Sequence, residues 1–267
     1  MTTTQIKPLQ PFLKWAGGKR ELAPKLAEMY EPFRSTHTWV EPFCGALGAT
    51  LGVMPERAIL SDINKHLINL YRFIDNGMLN HQFRQNWQNT EENYYDIRKR
   101  FNTYQFSDEF QAQSFYWMNH TCFNGLCRFN LKGEFNVSYG NYKKPKLDHD
   151  FSKYQEAFVF WDFFNYSYDV ALSLSKDQPH FVYADPPYAD GFTGYSGSFT
   201  WDDQVNLASS LAALNSPVVA NNKASDRIID LYQGFGFDIE IISMKRRISC
   251  DGDRTDAQEI LATRNLK

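Results

Sequence analysis

Asp185, Pro186, Pro187 and Tyr188 stand directly after the apolar run HFVYA. Neither proline has an N–H to give to a strand ladder, so the pair ends the strand and stiffens the chain beyond it. In an open α/β sheet the carboxyl edge of the strands is where ligands bind. There, the Asp185 side chain and the Pro186 carbonyl can accept two hydrogen bonds from one amino group, and the Tyr188 ring offers a stacking face. These features suit the exocyclic amine of a purine or pyrimidine. Its lone pair is delocalised into the ring, and two acceptors on its hydrogens help localise it for attack on an electrophilic methyl carbon. A rigid turn without chemical meaning is the competing reading of a bare Asp-Pro-Pro. The stacking tyrosine behind it and the apolar strand before it favour a site.

Two glycine-bearing stretches could serve a ligand at the same edge. In EPFCGALG, residues 41–48, Gly45 and Gly48 allow close backbone approach where a strand turns into a helix. This is not a full Gly-x-Gly-x-x-Gly fingerprint. Asp62 lies 17 residues after Gly45, near the place where an acid reaches the hydroxyls of a bound ribose. Together they point to a nucleoside cofactor with no need of a pyrophosphate site, and Asp62 serves equally well as a cap for the helix that begins near Asn64. The second stretch, LKWAGGKRE, looks like a phosphate loop, but Leu13 stands where such a loop needs its first glycine and Arg20 where it needs Ser or Thr. Lys19 and its glycines can still meet a carboxylate, with Trp15 as a packing wall; a simple surface turn is the alternative.

Short apolar runs and helical periods position these residues. TWVE, then a glycine turn, then RAILSD and INKHLINLYRFI read as strand, turn, helix, strand, helix, which implies a parallel sheet. AFVFWDFF, HFVYADPPY, SPVVANNKA and FDIEIISMK read as further strands, with DDQVNLASSLAAL as a helix. The fold class expected is α/β: a Rossmann-like, mostly parallel sheet with helices on both faces. Between residues 76 and 154 the pattern stops. That segment reads as helices followed by a hairpin in RFNLKGEFNVSYG, with Phe129 and Leu131 alternating on one arm, Phe135 and Val137 on the other, and a turn at Lys132-Gly133. The expected division is a catalytic domain of residues 1–75 and 155–267, with an inserted recognition-sized module over 76–154.

Bulk properties narrow the function. The 267 residues are 43% apolar and carry a formal charge of −3, so nucleic-acid contacts must come from a local patch. Residues 117–146 hold Arg128, Lys132, Lys143, Lys144 and Lys146 against the single acid Glu134. Basic runs such as YKKPK and MKRRIS are more often solvated faces. The start of the chain lacks signal-peptide character and no apolar stretch approaches the roughly 18 residues of a membrane span. The expectation is a soluble protein of the cytoplasm. Cys44, Cys122, Cys127 and Cys250 lack the close pairing of a zinc site, and the histidines are scattered, so no metal is expected.

Taken together and in this order, FLKWAGGKR, EPFCGALG, FNGLCRFNLKGEFN and DPPY resemble the Dam-type DNA adenine N6-methyltransferases, and the likeness covers nearly the whole chain. The resemblance implies S-adenosyl-L-methionine as cofactor, S-adenosyl-L-homocysteine as product, no metal, and double-stranded DNA as substrate, commonly at GATC. It implies that Trp15 and Lys19 line the methionine side of the cofactor and that Phe43 and Gly45 sit against it. Asp62 would hold the ribose, Ile63 would pack on the cofactor adenine, and Asp162 with Phe163 would close that adenine pocket. Asp185, Pro186 and Tyr188 would hold a target adenine flipped out of the duplex, with Asp185 also beside the cofactor. Phe123 would wedge into the duplex, Asn124 would touch bases near the gap, Leu126 and Arg128 would read the major groove, and Lys14 would read the outer guanine.

Three departures stand out: Phe123 for a frequent tyrosine, and Ser138 and Asn141 where relatives often have Pro and Arg. Ser138, Asn141, Lys143 and Lys144 belong to the expected DNA face. The same likeness implies a monomer in the cytoplasm of a bacterium or a phage-infected cell. The rivals are an RNA adenine N6-methyltransferase, a catalytically silent DNA-binding protein of the same fold and, more distantly, a nicotinamide-dependent dehydrogenase.

Overall fold

A computed structural model of the chain describes residues 7–79, 87–103, 106–174, 178–188, 199–244 and 256–267. Seven strands form one mixed sheet: β1 (Thr38–Glu41), β2 (Ala58–Ser61), β3 (Trp161–Phe164), β4 (His180–Ala184), β5 (Val218–Lys223), β6 (Asp238–Met244) and β7 (Ala257–Arg264). Their order is β3-β2-β1-β4-β5-β7-β6. The first five are parallel, and β7 lies antiparallel between β5 and β6. The order reverses between β1 and β4, and a reversal of this kind opens a crevice at the carboxyl edge.

Side-chain alternation divides each central strand between two cores. Trp39, Phe181, Tyr183, Val219 and Leu261 face one side, where α1 (Ala23–Tyr30), the short α2 (Thr50–Val53) and α3 (Lys65–Asp75) pack. Val40, Val182, Ala184, Val218, Ala220 and Ile260 face the other. That side is covered by α7 (Tyr168–Ser173), α8 (Trp201–Ala212) and α9 (Asp226–Gly234). Every residue of β4 is buried, as expected of a parallel strand covered on both faces. Trp39 and Phe181, paired in register, stack with centroids 5.4 Å apart.

Between α3 and β3 lie α4 (Glu91–Asn102), α5 (Asp108–Thr121), a hairpin and α6 (Ser152–Phe158). α5 is buried nearly all round from Gln111 to Thr121, and a helix apolar on every side belongs inside a core. Its Phe115 and Trp117 share one core with Tyr71 and Leu67 of α3. Residue 155, the expected start of the second catalytic segment, falls inside α6.

Two local expectations are corrected, and one strand was not expected. The run AFVFWDFF is not one strand: Ala157 and Phe158 close α6, and only Trp161–Phe164 are extended. Short apolar runs do not distinguish helix from strand. The hairpin closes through a three-residue loop, with the N–H of Gly133 (φ 75°) donating to the Asn130 carbonyl. Asn130 Oδ1 accepts from the backbone of Lys132 and Glu134. Leu131 therefore sits fully exposed at the tip instead of alternating along an arm, while Phe129 pairs with Phe135. Finally, β7 carries the sequence AQEILATR, whose pattern does not predict a strand.

Candidate active site

The stretch after β4 meets three other elements at the carboxyl edge. Asp185 is the first residue past the strand, and its side chain keeps 19% exposure. Lys19, reaching in from the N-terminal stretch, brings Nζ to 2.8 Å from Tyr188 Oη, 3.3 Å from Glu259 Oε1 of β7 and 3.5 Å from Asp185 Oδ1. The Tyr188 hydroxyl donates to Asn221 Oδ1 of β5 at 3.2 Å, and Asn221 Nδ2 donates to the Ile260 carbonyl at 2.9 Å. Behind them Gln204 Nε2 donates to the Pro187 carbonyl, and Asn222 Nδ2 to Gln204 Oε1. The tetrapeptide is thus tied to β5, β7 and α8. Burial pushes the Asp185 carboxyl up to about 7; the Lys19 ammonium opposes this and the Glu259 carboxylate adds to it.

A second cluster lies just past β1 and β2. Asp62 accepts the N–H of Gly45 at 3.0 Å and that of Asn64 at 2.8 Å, one on each carboxylate oxygen. Burial raises its carboxyl to about 6, against the pull of those two donors. The cap of α3 is Asn64, whose side chain accepts from the backbone of His66 and Leu67. Asp62 instead ties the first glycine loop to the next strand. Tyr71 Oη fixes the Gly45 carbonyl at 2.6 Å. Ile63, 62% exposed, stands beside Asp62, and Asn165 Nδ2 holds the carbonyls of both. Phe43 is half-buried and stacks on Tyr168.

The two glycine stretches pack on each other. A Cβ on Gly45, whose φ is 45°, would meet Trp15 Nε1 at 3.1 Å, and one on Gly48 would lie 3.0 Å from the Lys19 backbone nitrogen. LKWAGGKRE is therefore a strap laid across the loop after β1, which aims Trp15 at the Asp62 side and Lys19 at the Asp185 side.

Asp162 and Phe163 are not gathered here. Asp162 pairs in register with Ile59 and lines a hollow with Thr36, Arg57 and His180 at the amino edge of the sheet. Phe163 is buried against Phe158 and Tyr71. The part of this segment that reaches Asp62 is Phe164–Tyr166: Asn165 makes the contacts above, and the Phe164 and Tyr166 rings stack at 5.2 Å.

The strap also meets the inserted segment. Lys14 and Asn119 exchange two hydrogen bonds, Lys14 N–H to Asn119 Oδ1 at 2.9 Å and Asn119 Nδ2 to the Lys14 carbonyl at 2.8 Å. Lys14 Nζ donates to the His120 carbonyl and lies 4.0 Å from the centre of the Tyr142 ring. Its stem fills the space over Gly125, where a Cβ would come within 2.3 Å of Lys14 Cδ. In the same turn Phe123 is 51% exposed, and Asn124 is exposed in the left-handed region (φ 52°). The Phe123 N–H donates to the Ser138 carbonyl. Ser138, Asn141, Lys143 and Lys144 are exposed on the adjoining strand of chain. Leu126 is half-buried, and Arg128, in the hairpin arm, donates from Nε to Asn136 Oδ1 at 2.8 Å. The basic residues 245–247 of MKRRIS, and Cys250, lie outside the described residues.

Sequence reasoning passed over Glu259, Asn221, Asn165 and Glu41. Glu41 is buried under Thr50 Oγ1 and Trp39 Nε1, and burial pushes its carboxyl to about 8. For Glu41 and Asn221 the available signal was a polar or acidic residue inside an apolar strand, because such a group is buried only with partners; Glu259 and the exposed Asn165 carried no such signal.

Known proteins share this sequence pattern. A family model described as the D12 class of N6 adenine-specific DNA methyltransferases matches residues 15–248. A DNA adenine methylase of Escherichia coli K12 is 36% identical over 280 residues, 96% of each chain. The retron Ec67 DNA adenine methylase of Escherichia coli is 33% identical over 269 residues, 95% of this chain and 91% of that one. A DNA N-6-adenine-methyltransferase of Escherichia phage P1 is 32% identical over 282 residues. That match covers 96% of this chain and only 36% of the phage protein, so the chain spans about a third of that relative's length.

Proposed function

Because this chain belongs to the D12 class of N6 adenine-specific DNA methyltransferases, we propose that it transfers the methyl group of S-adenosyl-L-methionine to N6 of an adenine flipped out of double-stranded DNA, within GATC. The observation that carries this reading is Asp185 at the carboxyl end of β4, partly open and held by Lys19, on the same edge as the Asp62 cluster.

The residues around Asp62 fit a nucleoside cofactor. Each Asp62 oxygen spends one lone pair on a backbone N–H and keeps another for a ribose hydroxyl. Ile63 offers an exposed apolar face for a purine, and Phe43, Gly45, Trp15 and Lys19 border the remaining length. Asp162 and Phe163 are left out of this role, and Asn165 and Tyr166 take their place. When bound, the cofactor supplies an electrophilic methyl carbon.

The chain's own residues then prepare the nucleophile. Asp185 and the Pro186 carbonyl accept the two hydrogens of the target amine, and the Tyr188 ring stacks on the base. Two fixed acceptors stabilise the positive charge that builds on nitrogen as it attacks, without reorganisation at that moment. Lys19 and Asn221 hold the Tyr188 hydroxyl, so the stacking face is set before the base arrives. After attack the methylated amine sheds its extra proton to solvent, and S-adenosyl-L-homocysteine would be left as the second product.

The turn at Phe123–Gly125 and the chain from Ser138 to Lys144 form the DNA face. Phe123 fills the gap left by the flipped base; Asn124, Leu126, Arg128 and Lys14 contact base edges; Ser138, Asn141, Lys143 and Lys144 flank the backbone. Residues 76–154 act as the recognition module even though they share a core with the sheet. The enzyme works as a monomer, one strand of the palindrome at a time, in the cytoplasm of a bacterium or phage-infected cell, a reading supported by relatives from Escherichia coli and a phage.

Methyl incorporation from labelled cofactor into two matched duplexes tests this. Transfer to a GATC duplex, with little to one whose outer base pairs are exchanged, is expected. Equal transfer to both would remove the GATC assignment, and transfer to neither would remove the reaction.

A further inference from the structure

Lys19 is shared between two carboxylates, and only one belongs to the tetrapeptide. Glu259 enters from β7, at the position paired with Lys223 of β5, with its side chain 8% exposed. Its Oε1 lies closer to Lys19 Nζ (3.3 Å) than Asp185 Oδ1 does (3.5 Å). Its Oε2 has no hydrogen-bond partner among the described residues. A second buried carboxylate on one ammonium is costly to hold, because each ion must be desolvated and the two repel.

We propose that Glu259 is a positioning residue for methyl transfer: it draws the Lys19 ammonium off Asp185, so that Asp185 keeps an acceptor for the target amine. This rests on the reaction proposed above. Without Glu259, Lys19 and Asp185 would close into a direct pair, and Asp185 Oδ1 would be spent on lysine. With it, Lys19 rests between Glu259 and the Tyr188 hydroxyl and steadies Tyr188, while its contact with Asp185 stays long.

The groups that face Asp185 come from five elements. They are Lys19 of the strap, Glu41 of β1, Tyr183 of β4 with Tyr188 just beyond it, Glu259 of β7, and Tyr232 of α9. The negative charge of Glu259 raises the Asp185 carboxyl and the positive charge of Lys19 lowers it. Removing Glu259's charge therefore makes Asp185 a stronger acid, a change that a purely packing role would not produce.

The test compares the full-length wild type with Glu259→Gln, Glu259→Asp, Lys19→Met and the Lys19→Met/Glu259→Gln double variant. For Glu259→Gln the maximal rate on duplex DNA should fall about tenfold or more, since misplacing a reacting group can cost up to about a hundredfold. The acidic limb of its pH profile should move to lower pH. Glu259→Asp, which keeps the charge, should retain the wild-type limb. In the Lys19→Met background the Gln substitution should cost little more, because Glu259 acts through Lys19. Carbon-13 NMR of labelled aspartate in the free proteins reads the same shift without turnover. An unmoved limb and unmoved Asp185 titration in a folded Glu259→Gln protein, or full additivity with Lys19→Met, would overturn the role of Glu259. Absence of transfer by the wild type would instead count against the reaction, leaving the NMR titration to judge Glu259.

Discussion

At the scale of single residues the proposed reaction turns on Asp185. Asp185→Ala should abolish transfer while cofactor binding falls only in part, since the Asp62 cluster remains; measured transfer near the wild-type rate would refute the acceptor role. The pH dependence has a definite sign. Only as the carboxylate does Asp185 present both oxygens as acceptors, one for the proposed target amine and one for Lys19, and burial has lifted its carboxyl from 3.8 to about 7. Transfer by the wild type should therefore decline as pH falls through about 7 in single-turnover measurements, instead of holding down to about pH 4 as an exposed aspartate would allow. Asp185 and Tyr188 were legible in the sequence because two prolines can only end a strand, and a strand end in such a sheet is an edge for ligands. Glu259 was not legible, because AQEILATR is rich in residues that favour helices and sequence pattern gives no hint that this segment is inserted between β5 and β6.

Elements decide what single residues can reach. The Asp162–Phe163 pair illustrates this: the acid and the ring are adjacent in a real strand, but the strand begins at Trp161, so both lie below the carboxyl edge that Asn165 and Tyr166 attain. A boundary error of about three residues moves the expected site to the opposite rim, and boundaries are where sequence patterns are weakest. The hairpin was legible from Gly133, whereas the three-residue loop that exposes Leu131 depended on the Asn130 side chain. The strap and the inserted turn meet at Gly125, which has φ 63° and carries the Lys14 stem over its Cα. Gly125→Ala brings both a left-handed backbone penalty and a clash with Lys14 Cβ at 2.4 Å, an atom too near the backbone to swing aside. The variant should raise KM for duplex DNA and weaken discrimination at the outer base pair, with cofactor affinity nearly unchanged. Equal losses in cofactor and DNA binding would show that the strap, and not the DNA face, had been disturbed.

Across the whole molecule, three carboxyl groups sit at one edge of the sheet with their ionised forms disfavoured by burial: Asp62 near 6, Asp185 near 7 and Glu41 near 8. Each holds its proton more tightly folded than unfolded, so the native state binds more protons over the range between the two values. Stability from these groups is full below about pH 4 and is lost as pH rises through about 6, 7 and 8 in turn. Gathering acids in this way costs stability at neutral pH, and the sulfonium charge of the proposed cofactor would favour the ionised forms of Asp62 and Asp185. Glu41 isolates the effect, since it lies behind Thr50 and Trp39 in the interior and is uncharged through most of the neutral range. The melting temperature of the free protein should fall between about pH 5 and pH 9, and in Glu41→Gln it should fall less. A difference on the order of a few kcal/mol at about pH 9, several degrees for a chain of this size, is the scale expected. Adding S-adenosyl-L-methionine should flatten the wild-type decline. If Glu41→Gln shows the same slope as the wild type, Glu41 ionises without cost, and the electrostatic account of this edge must be rebuilt around Asp62 and Asp185 alone.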